Sequence, residues 1–419
     1  MGMREMKDSE IEWIGEIPKD WERARLKDYF CFEKGKNAQM YTIEYIGRNE
    51  GIYPVYSGQT ENNGVMGKIN KYDYDVDECL FTTTVGAKVM TPKYLTGKFC
   101  LSQNCLIMQP TKDSSVKYFY YMLHPLFDYQ KSNIPAYMQP SLRMEDLEKM
   151  VCCLPNLMNQ KIIADFLDTQ CSEIDATAED IQKEISLLEE YKKSLVYNVI
   201  SNGINHSIYS TENDEVWGNL PQGWKLVDIK YLFEIVKRIA GKEGYDVLSV
   251  TQKGLKIKDI TSGDGQLADN YCGYQFVYPT DYVMNHMDLL TGWVDCSELF
   301  GVTSPDYRVF RLIDRSAHNL VYYKYVMQCC YMNKIFYSLG QGVSNLGRWR
   351  LQTSSFNNFK VPVPPKDEQD EIADYLDSKC SEIDAIIADK KCQLDILADY
   401  KKSLIYEYVT GKKEVPVHE

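Results

Sequence analysis

Gln160-Lys161-Ile162-Ile163-Ala164-Asp165-Phe166-Leu167-Asp168 returns 209 residues later as Gln369-Asp370-Glu371-Ile372-Ala373-Asp374-Tyr375-Leu376-Asp377. The correspondence runs on. Cys171-Ser172-Glu173-Ile174-Asp175-Ala176 recurs unchanged from Cys380 to Ala385, and Tyr191-Lys192-Lys193-Ser194-Leu195 from Tyr400 to Leu404, followed by Tyr197 and Tyr406. From Gln160 to Tyr197, 20 of 38 aligned positions are identical, too many for chance. The stretches ahead of these segments also open alike. Pro18-Lys19-Asp20-Trp21 with Leu26 matches Pro221-Gln222-Gly223-Trp224 with Ile229 at an offset of 203, and Trp13 and Trp217 precede them. A period of about 200 residues is too long for a solenoid. It reads as tandem duplication, which tends to set two related units about a pseudo-twofold axis.

The repeated segments carry a helical signature. Ile174, Ala178, Ile181, Ile185, Leu188, Lys192, Leu195 and Val199 are spaced alternately four and three apart, as are Ile383, Ile387, Lys390, Leu394, Leu397, Lys401, Leu404 and Tyr408. That is a heptad seam, interrupted by Lys192 in one copy and by Lys390 and Lys401 in the other. Pro155 and Pro364-Pro365 stand before the segments, while Asn202-Gly203 and Gly411 supply the stops. The pattern predicts two helical arms of about 40 residues, roughly 60 Å each, with Gln160–Leu167 read as a short separate turn. Both partners of a coiled coil lie in one chain. The arms are therefore expected to pair with each other, through Ile174, Ile181, Ile185, Leu188 and Leu195 against Ile383, Ile387, Leu394, Leu397 and Leu404, as a rod between two domains. Oligomerisation alone is the plainer use of such a seam.

Charge divides along the same lines. The chain carries a net −13, but residues 1–155 hold −2 and residues 217–363 hold +3. The arm segments 156–216 and 364–419 hold −8 and −6. The long segments can present a basic face to phosphate, whereas the arms should stand away from it. Thirteen cysteines without CxxC spacing read as reduced thiols, many of them core residues, in a cytoplasmic protein. The charged stretch from Met1 to Glu12 lacks the apolar core of a signal peptide, and no apolar run is long enough to span a bilayer.

The division expected from sequence is residues 1–155, a variable domain; 156–210, a central helical arm; 211–363, a second variable domain; and 364–419, a C-terminal helical arm. The fold class is α+β, with two mixed α/β domains joined by two long helices in an intrachain antiparallel coiled coil. Within the first domain, Tyr53–Gly58 and Cys79–Gly86 read as strand then turn, Cys105–Pro110 as a strand and Val116–Tyr129 as a helix. In the second, Tyr245–Thr251 and Tyr282–Met284 are strand-like and Leu320–Tyr337 reads as a helix. Thirty-two tyrosines, mostly in these domains, are interleaved with Lys, Gln, Asn, Ser and Thr. That mixture suits nucleic-acid contact, although most single tyrosines serve cores and rims.

Signatures of chemistry are missing. The sequence holds no GxxxxGK[ST] phosphate loop, GxSxG elbow, HExxH or zinc-spaced Cys/His cluster, and its five histidines are dispersed. An amino-methyltransferase should show an Asn/Asp-Pro-Pro-Tyr/Phe turn; Asn133-Ile134-Pro135-Ala136-Tyr137 is one residue too long and lacks Pro-Pro. Asp367-Glu368-Gln369-Asp370-Glu371 places acids at a helix start, where the dipole favours them, and needs no metal.

With these features assembled, nearly the whole chain resembles the specificity subunit of type I restriction–modification systems. The carriers are Ile17-Pro18-Lys19-Asp20-Trp21 and Leu220-Pro221-Gln222-Gly223-Trp224 opening the domains, and Val361-Pro362-Val363-Pro364-Pro365 with Glu368-Gln369 before the second arm. Within the arms they are Ile-Ala-Asp-Phe/Tyr-Leu-Asp, Ile-Asp-Ala and Tyr-Lys-Lys-Ser-Leu. Leu154-Pro155 with Asn159-Gln160 is a weaker first copy. Phe81–Gly86, Gly97-Lys98-Phe99 and Ser102-Gln103-Asn104 are similar to one class of target-recognition domain, and Gly301–Tyr307 to another. The resemblance implies a non-catalytic subunit that binds double-stranded DNA at a split site, one half per domain, with the arms fixing the spacer. It implies two modification subunits as partners, which bring S-adenosylmethionine, and optionally a restriction subunit; this chain is expected to bind no cofactor, no metal and no membrane. Three other readings stand beside it: the specificity subunit of a methylation-only or type II-like complex, a self-contained modification enzyme, and a coiled-coil adaptor without DNA specificity.

On the DNA reading, phosphate contacts fall to Lys68, Lys88, Arg143, Lys253, Arg348 and Arg350. Base edges fall to Ser57, Gln59, Gln103, Asn104, Gln139 and Ser141 in the first domain and to Ser249, Gln252, Ser304, Gln341, Ser344 and Asn345 in the second. Amides and hydroxyls match the donor and acceptor code of the major groove. Turn chemistry is the competing explanation for each Ser and Asn. Unlike domain sequences predict unlike half-sites.

Overall fold

The computed structural model describes residues 4–58, 62–86, 88–135, 137–205, 208–260, 268–342 and 349–416. The chain forms two compact units: Met1–Ile181 with Cys392–Glu419, and Gln182–Lys391. Each unit takes in one domain, half of the first arm and half of the second.

The arms are single helices, Leu157–Asn202 and Lys366–Val409. Neither contains Pro or Gly, so nothing breaks the hydrogen-bond ladder. Gln160–Leu167, expected as a separate turn, is continuous with the first arm. Its residues Gln160, Ile163, Ala164 and Leu167 are buried at helical spacing, which extends the apolar stripe to the helix start.

Every residue of the 4-3 seam is buried or half-buried, while the positions between are mostly exposed. The lysines that interrupt the seam explain themselves here. In the second unit Lys192 pairs with Asp384 (2.6 Å), Lys390 with Glu184 and Lys391 with Glu189 (3.7 Å). From Glu184 to Lys192 the first arm's numbers rise while those of their partners fall from Lys390 to Asp384, so the arms run antiparallel. In the first unit Lys401 pairs with Asp175 (2.7 Å), the repeat-equivalent of Lys192 with Asp384. The carboxylates are well exposed, so each pair contributes at most about 1 kcal/mol. Their larger effect is on register, since sliding one helix by a heptad would bury an unpaired ammonium.

In the first unit a six-stranded sheet runs in the order Phe30–Lys34, Cys105–Pro110, Tyr74–Thr83, Pro92–Leu101, Glu50–Tyr56 and Val65–Ile69. All pairings are antiparallel except Glu50–Tyr56 against Pro92–Leu101. The helix Val116–Ser132 supplies Tyr118, Phe119, Met122, Leu123, Leu126 and Phe127 to a core shared with both arm segments. Glu22–Arg25 pairs with Val151–Leu154, bringing the domain's start and end together.

The second unit keeps that frame with a different interior. Lys225–Asp228 pairs with Lys360–Val363, repeating the start-to-end pairing. Its main sheet has four strands, Phe233–Val236, Arg308–Leu312, Tyr282–Met284 and Val294–Cys296. The helix expected over Leu320–Tyr337 ends at Met332; Lys334 takes φ 56°, and a short turn, Ile335–Ser338, follows. The strand expected from Tyr245 begins at Leu248.

A duplicated clasp joins domain to arm. The buried Gln160 accepts a hydrogen bond from the Ser115 backbone N–H (3.1 Å) and donates to the Pro155 carbonyl (3.0 Å). Gln369 does the same with the Asn319 N–H (2.9 Å) and the Pro364 carbonyl (2.9 Å). Ser115 and Asn319 are themselves the N-caps of the domain helices. The hydroxyls of Tyr118 and Tyr322 donate to the Cys153 and Pro362 carbonyls, and those of Tyr121 and Tyr325 to Asp168 and Asp377. All thirteen cysteines are free and nine are buried. Among the described residues no helix is long and apolar enough to cross a membrane. Gln160→Leu or Gln369→Leu leaves a backbone donor and acceptor without their partner, and is expected to cost about 1–3 kcal/mol for each orphaned group in chemical denaturation.

Candidate nucleic-acid interface

Sheet order decides which loops meet. Lys34 pairs with Leu106 and Thr83 with Cys105. The loops after Lys34 and after Thr83 and the turn before Cys105 therefore emerge at one end of the first domain's sheet. Thr84 ties three polar segments together: its N–H donates to the Asn104 carbonyl (2.9 Å), and its own carbonyl accepts from the Leu142 N–H (2.8 Å). Val85 bridges to Ser141, and the Thr83 hydroxyl holds the Lys88 carbonyl. Asn104 sits at φ 63°, a left-handed turn position that Asn tolerates and that swings its side chain outward.

The result is a cleft of about 1030 Å³ whose lining mixes the polar Lys34, Asn37, Gln39, Gln103, Asn104 and Arg143 with apolar residues such as Met40, Leu106 and Leu142. Gln103, Asn104, Ser141, Arg143 and Lys88 are exposed in or beside it. Arg143 caps the helix Met144–Lys149 through its backbone N–H to Asp146 (2.9 Å), which leaves its guanidinium outward. Ser57 is half-buried one residue beyond its strand, and the neighbouring Gly58 packs near Thr83. Gln139 is exposed on the loop leading into Ser141. Lys68 lies on the strand at the far edge of the sheet and does not line the cleft. Gln59 falls outside the described residues.

Sequence reasoning missed Lys34, Asn37 and Gln39. Their run, Lys34-Gly35-Lys36-Asn37-Ala38-Gln39, has the same Lys/Asn/Gln composition as the chosen loops. Asn37, at φ 53°, is held by Asp73 (2.9 Å), and the Lys36 N–H donates to the Tyr74 hydroxyl (2.9 Å).

In the second domain the candidates fall on separate elements. Gln252 and Lys253 form the exposed tip of the hairpin Leu248–Thr251/Gly254–Ile257, with Ser249 half-buried on its first strand. The Ser304 hydroxyl accepts from the Asp306 N–H (3.2 Å), which is turn chemistry. Gln341 and Arg350 are exposed and joined by two backbone hydrogen bonds (3.0 and 3.2 Å), forming the stem of a loop. Ser344, Asn345 and Arg348 lie outside the described residues. That stem is anchored from below: buried Arg308 donates to the Leu351 carbonyl (3.1 Å), and the Leu351 N–H donates to the His286 carbonyl (3.0 Å). Burial, with Arg308 and Arg350 nearby, pushes the His286 imidazole down to about 3.

A family model described as the type I restriction modification DNA specificity domain matches residues 18–187 and again 221–394, most of the chain. The chain belongs to that family. The two matches begin at the prolines that open the duplicated domains. Among its relatives is the type I restriction enzyme MjaVIII specificity subunit of Methanocaldococcus jannaschii, 24% identical over 95% of this chain and 94% of that one. The same organism's putative type I restriction enzyme MjaX specificity subunit is 23% identical over 96% of both. A solved chain from work on complex assembly and conformational transition of the type I R-M system shares the fold, with a TM-score of 0.64 at 11% identity over 94% of this chain and 98% of that one.

Two outcomes follow for this specificity-family member. Asn104→Gly keeps the left-handed turn and removes only the amide, so it should relax preference at one base pair by about 1–3 kcal/mol, whereas Arg143→Gln should weaken all sequences alike and lower the salt slope by about one; binding assays on a panel of single-base variants read both. The His286 value also sets a pH dependence. Its folded pKa lies below the ordinary 6.5, so its contribution to stability is complete above pH 6.5 and declines as pH falls. Between about pH 6 and about pH 4 the wild type should lose about 1.4 kcal/mol per pH unit more than His286→Gln in urea unfolding.

Proposed function

We propose that this chain is the DNA-reading, non-catalytic subunit of a type I restriction–modification complex, with each domain contacting one half of a split double-stranded site. The observation that carries the reading is the duplicated frame with unlike interiors. Start-to-end strand pairing, glutamine clasp and arm are repeated, while one domain holds a six-stranded sheet and the other a four-stranded one. A repeated frame fits repeated partners, and divergent interiors fit different bases. The cleft at Thr84, with its amides, hydroxyls and Arg143, offers the group types that read base edges and neutralise phosphate. Residues 1–155 and 211–363 are the two target-recognition domains on this reading, and 156–210 and 364–419 the arms that dock two modification subunits. S-adenosylmethionine and the adenine chemistry belong to those partners, and a restriction subunit is optional to the assembly.

Co-expression with the neighbouring modification subunit, followed by genome-wide mapping of methylated adenines, tests it. The expected result is a split motif with two unlike halves and a constant gap. Identical halves would refute the assignment of one distinct half to each domain, and a stable complex that methylates nothing would favour an adaptor.

A further inference from the structure

Between Lys34 and Thr42 the first domain makes a loop that its own sheet holds in place. Tyr74 is buried and stacks on Phe99, with ring centroids 5.3 Å apart. Its hydroxyl donates to the Lys34 carbonyl (3.3 Å) and accepts from the Lys36 N–H (2.9 Å), and the Lys36 ammonium lies 5.0 Å from its ring centre. Gly35, between these two, runs so close to the strand Pro92–Leu101 that a Cβ there would come within 2.8 Å of the Leu101 carbonyl oxygen.

The neighbouring Asp73 holds the second half of the loop. One of its carboxylate oxygens accepts from the Asn37 side-chain amide (2.9 Å) and the other from the Tyr41 hydroxyl. Burial, with the Asp73 carboxylate beside it, raises the Tyr41 phenol far above its ordinary value, so it stays a donor. Asn37 and Tyr41 stand two residues before and two residues after Gln39. The turn Ala38–Met40 joins them, closed by the Met40 N–H on the Asn37 carbonyl (2.9 Å). Gln39 is exposed at the centre of that turn and lines the cleft together with Asn104 and Arg143. Among the described residues its amide has no hydrogen-bond partner. The loop is thus fastened at Lys34, Lys36, Asn37 and Tyr41, while the amide at its tip is used by nothing within the domain.

We propose that Gln39 is a specificity-determining residue of the first domain, and that Asp73 and Tyr74 are the positioning residues that fix where its amide points. The inference rests on the functional reading above and adds one reader and the device that aims it. A Gln amide presents a donor and an acceptor side by side, the pattern that matches N6 and N7 of adenine in the major groove. A loop fixed before binding loses less affinity to ordering, and it holds the amide to the single geometry that discrimination between base pairs requires. Asp73 suits the task because an ionised carboxylate only accepts, and both groups that face it donate. An asparagine there would set an amide N–H against one of them and release one side of the turn.

The test is fluorescence anisotropy of the full-length chain, purified with its co-expressed modification subunit, on duplexes carrying the mapped motif and each of its single-base variants. Gln39→Ala should lower discrimination at one A·T pair by about 5- to 150-fold and leave affinity for DNA without the motif unchanged. Asp73→Asn and Tyr74→Phe should each lower discrimination at that same pair by about 5-fold or more, again without a change on DNA lacking the motif. In the Gln39→Ala background, Asp73→Asn should change nothing further at that pair, because it acts through an amide already removed. Gln39 is exposed, so its variant should melt as the wild type does, and the test does not depend on the folding of the Asp73 variant. Wild-type preference at every position in Gln39→Ala, additive losses in the double variant, or an equal weakening of all duplexes by Asp73→Asn and Tyr74→Phe overturns the inference while leaving the functional reading intact. A wild-type complex with no preference among the duplexes overturns that reading and this inference with it.

Discussion

A helix of 46 residues with one apolar stripe has to bury that stripe, and in this chain the other arm does so. The antiparallel seam is the constraint on which the remaining architecture depends. It draws the end of the second arm into the first unit, whose core is thereby completed by a segment far away in sequence, while the second unit is one continuous stretch of chain. Leu404, Ile405, Tyr408 and Val409 belong to the first core, and Val196, Val199 and Ile200 to the second. Apolar burial supplies the adhesion. The seam lysines supply the choice among registers that adhesion alone would leave nearly equal.

The arms were legible in sequence because two signals reinforced each other, a 4-3 apolar spacing and a duplicated text. Even the interruptions at Lys192, Lys390 and Lys401 were visible. Their meaning was not, because Asp384, Glu184 and Asp175 lie about 190 to 230 residues away and only the antiparallel register brings them opposite. The continuity of the first arm through Gln160–Leu167 was missed for a related reason. That segment packs on its own domain as well as on the other arm, and its pattern departs from a two-helix seam.

Inside the domains the periodicity is weaker. Cys105–Pro110 and Tyr282–Met284 were readable as short apolar runs. Pro92–Leu101, with Pro92 at its start and Gly97 inside, carries breaker residues and was passed over. The candidate cleft shows the sharper limit. Gln103, Asn104, Ser141 and Arg143 could be picked by residue type, but Asn37 and Gln39 looked like any polar loop. Lys34 joins Asn104 only because its strand lies beside Cys105–Pro110. The stem at Gln341 and Arg350 likewise depends on Arg308 and His286, whose part in holding it follows from burial rather than composition.

Several bonds of each clasp are made to main-chain atoms. Gln160 and Gln369 address an N–H and a carbonyl, and Tyr118 and Tyr322 address carbonyls. Such joints do not ask which side chains fill the interior they fasten. A domain can therefore change much of its sequence while it keeps its end strand, the capping residue of its helix and the side chains that pack on the arm. The molecule has a built-in tolerance for rewriting what it reads while preserving how it is assembled, and the two interiors of this chain, a six-stranded and a four-stranded sheet on one repeated frame, already display that freedom.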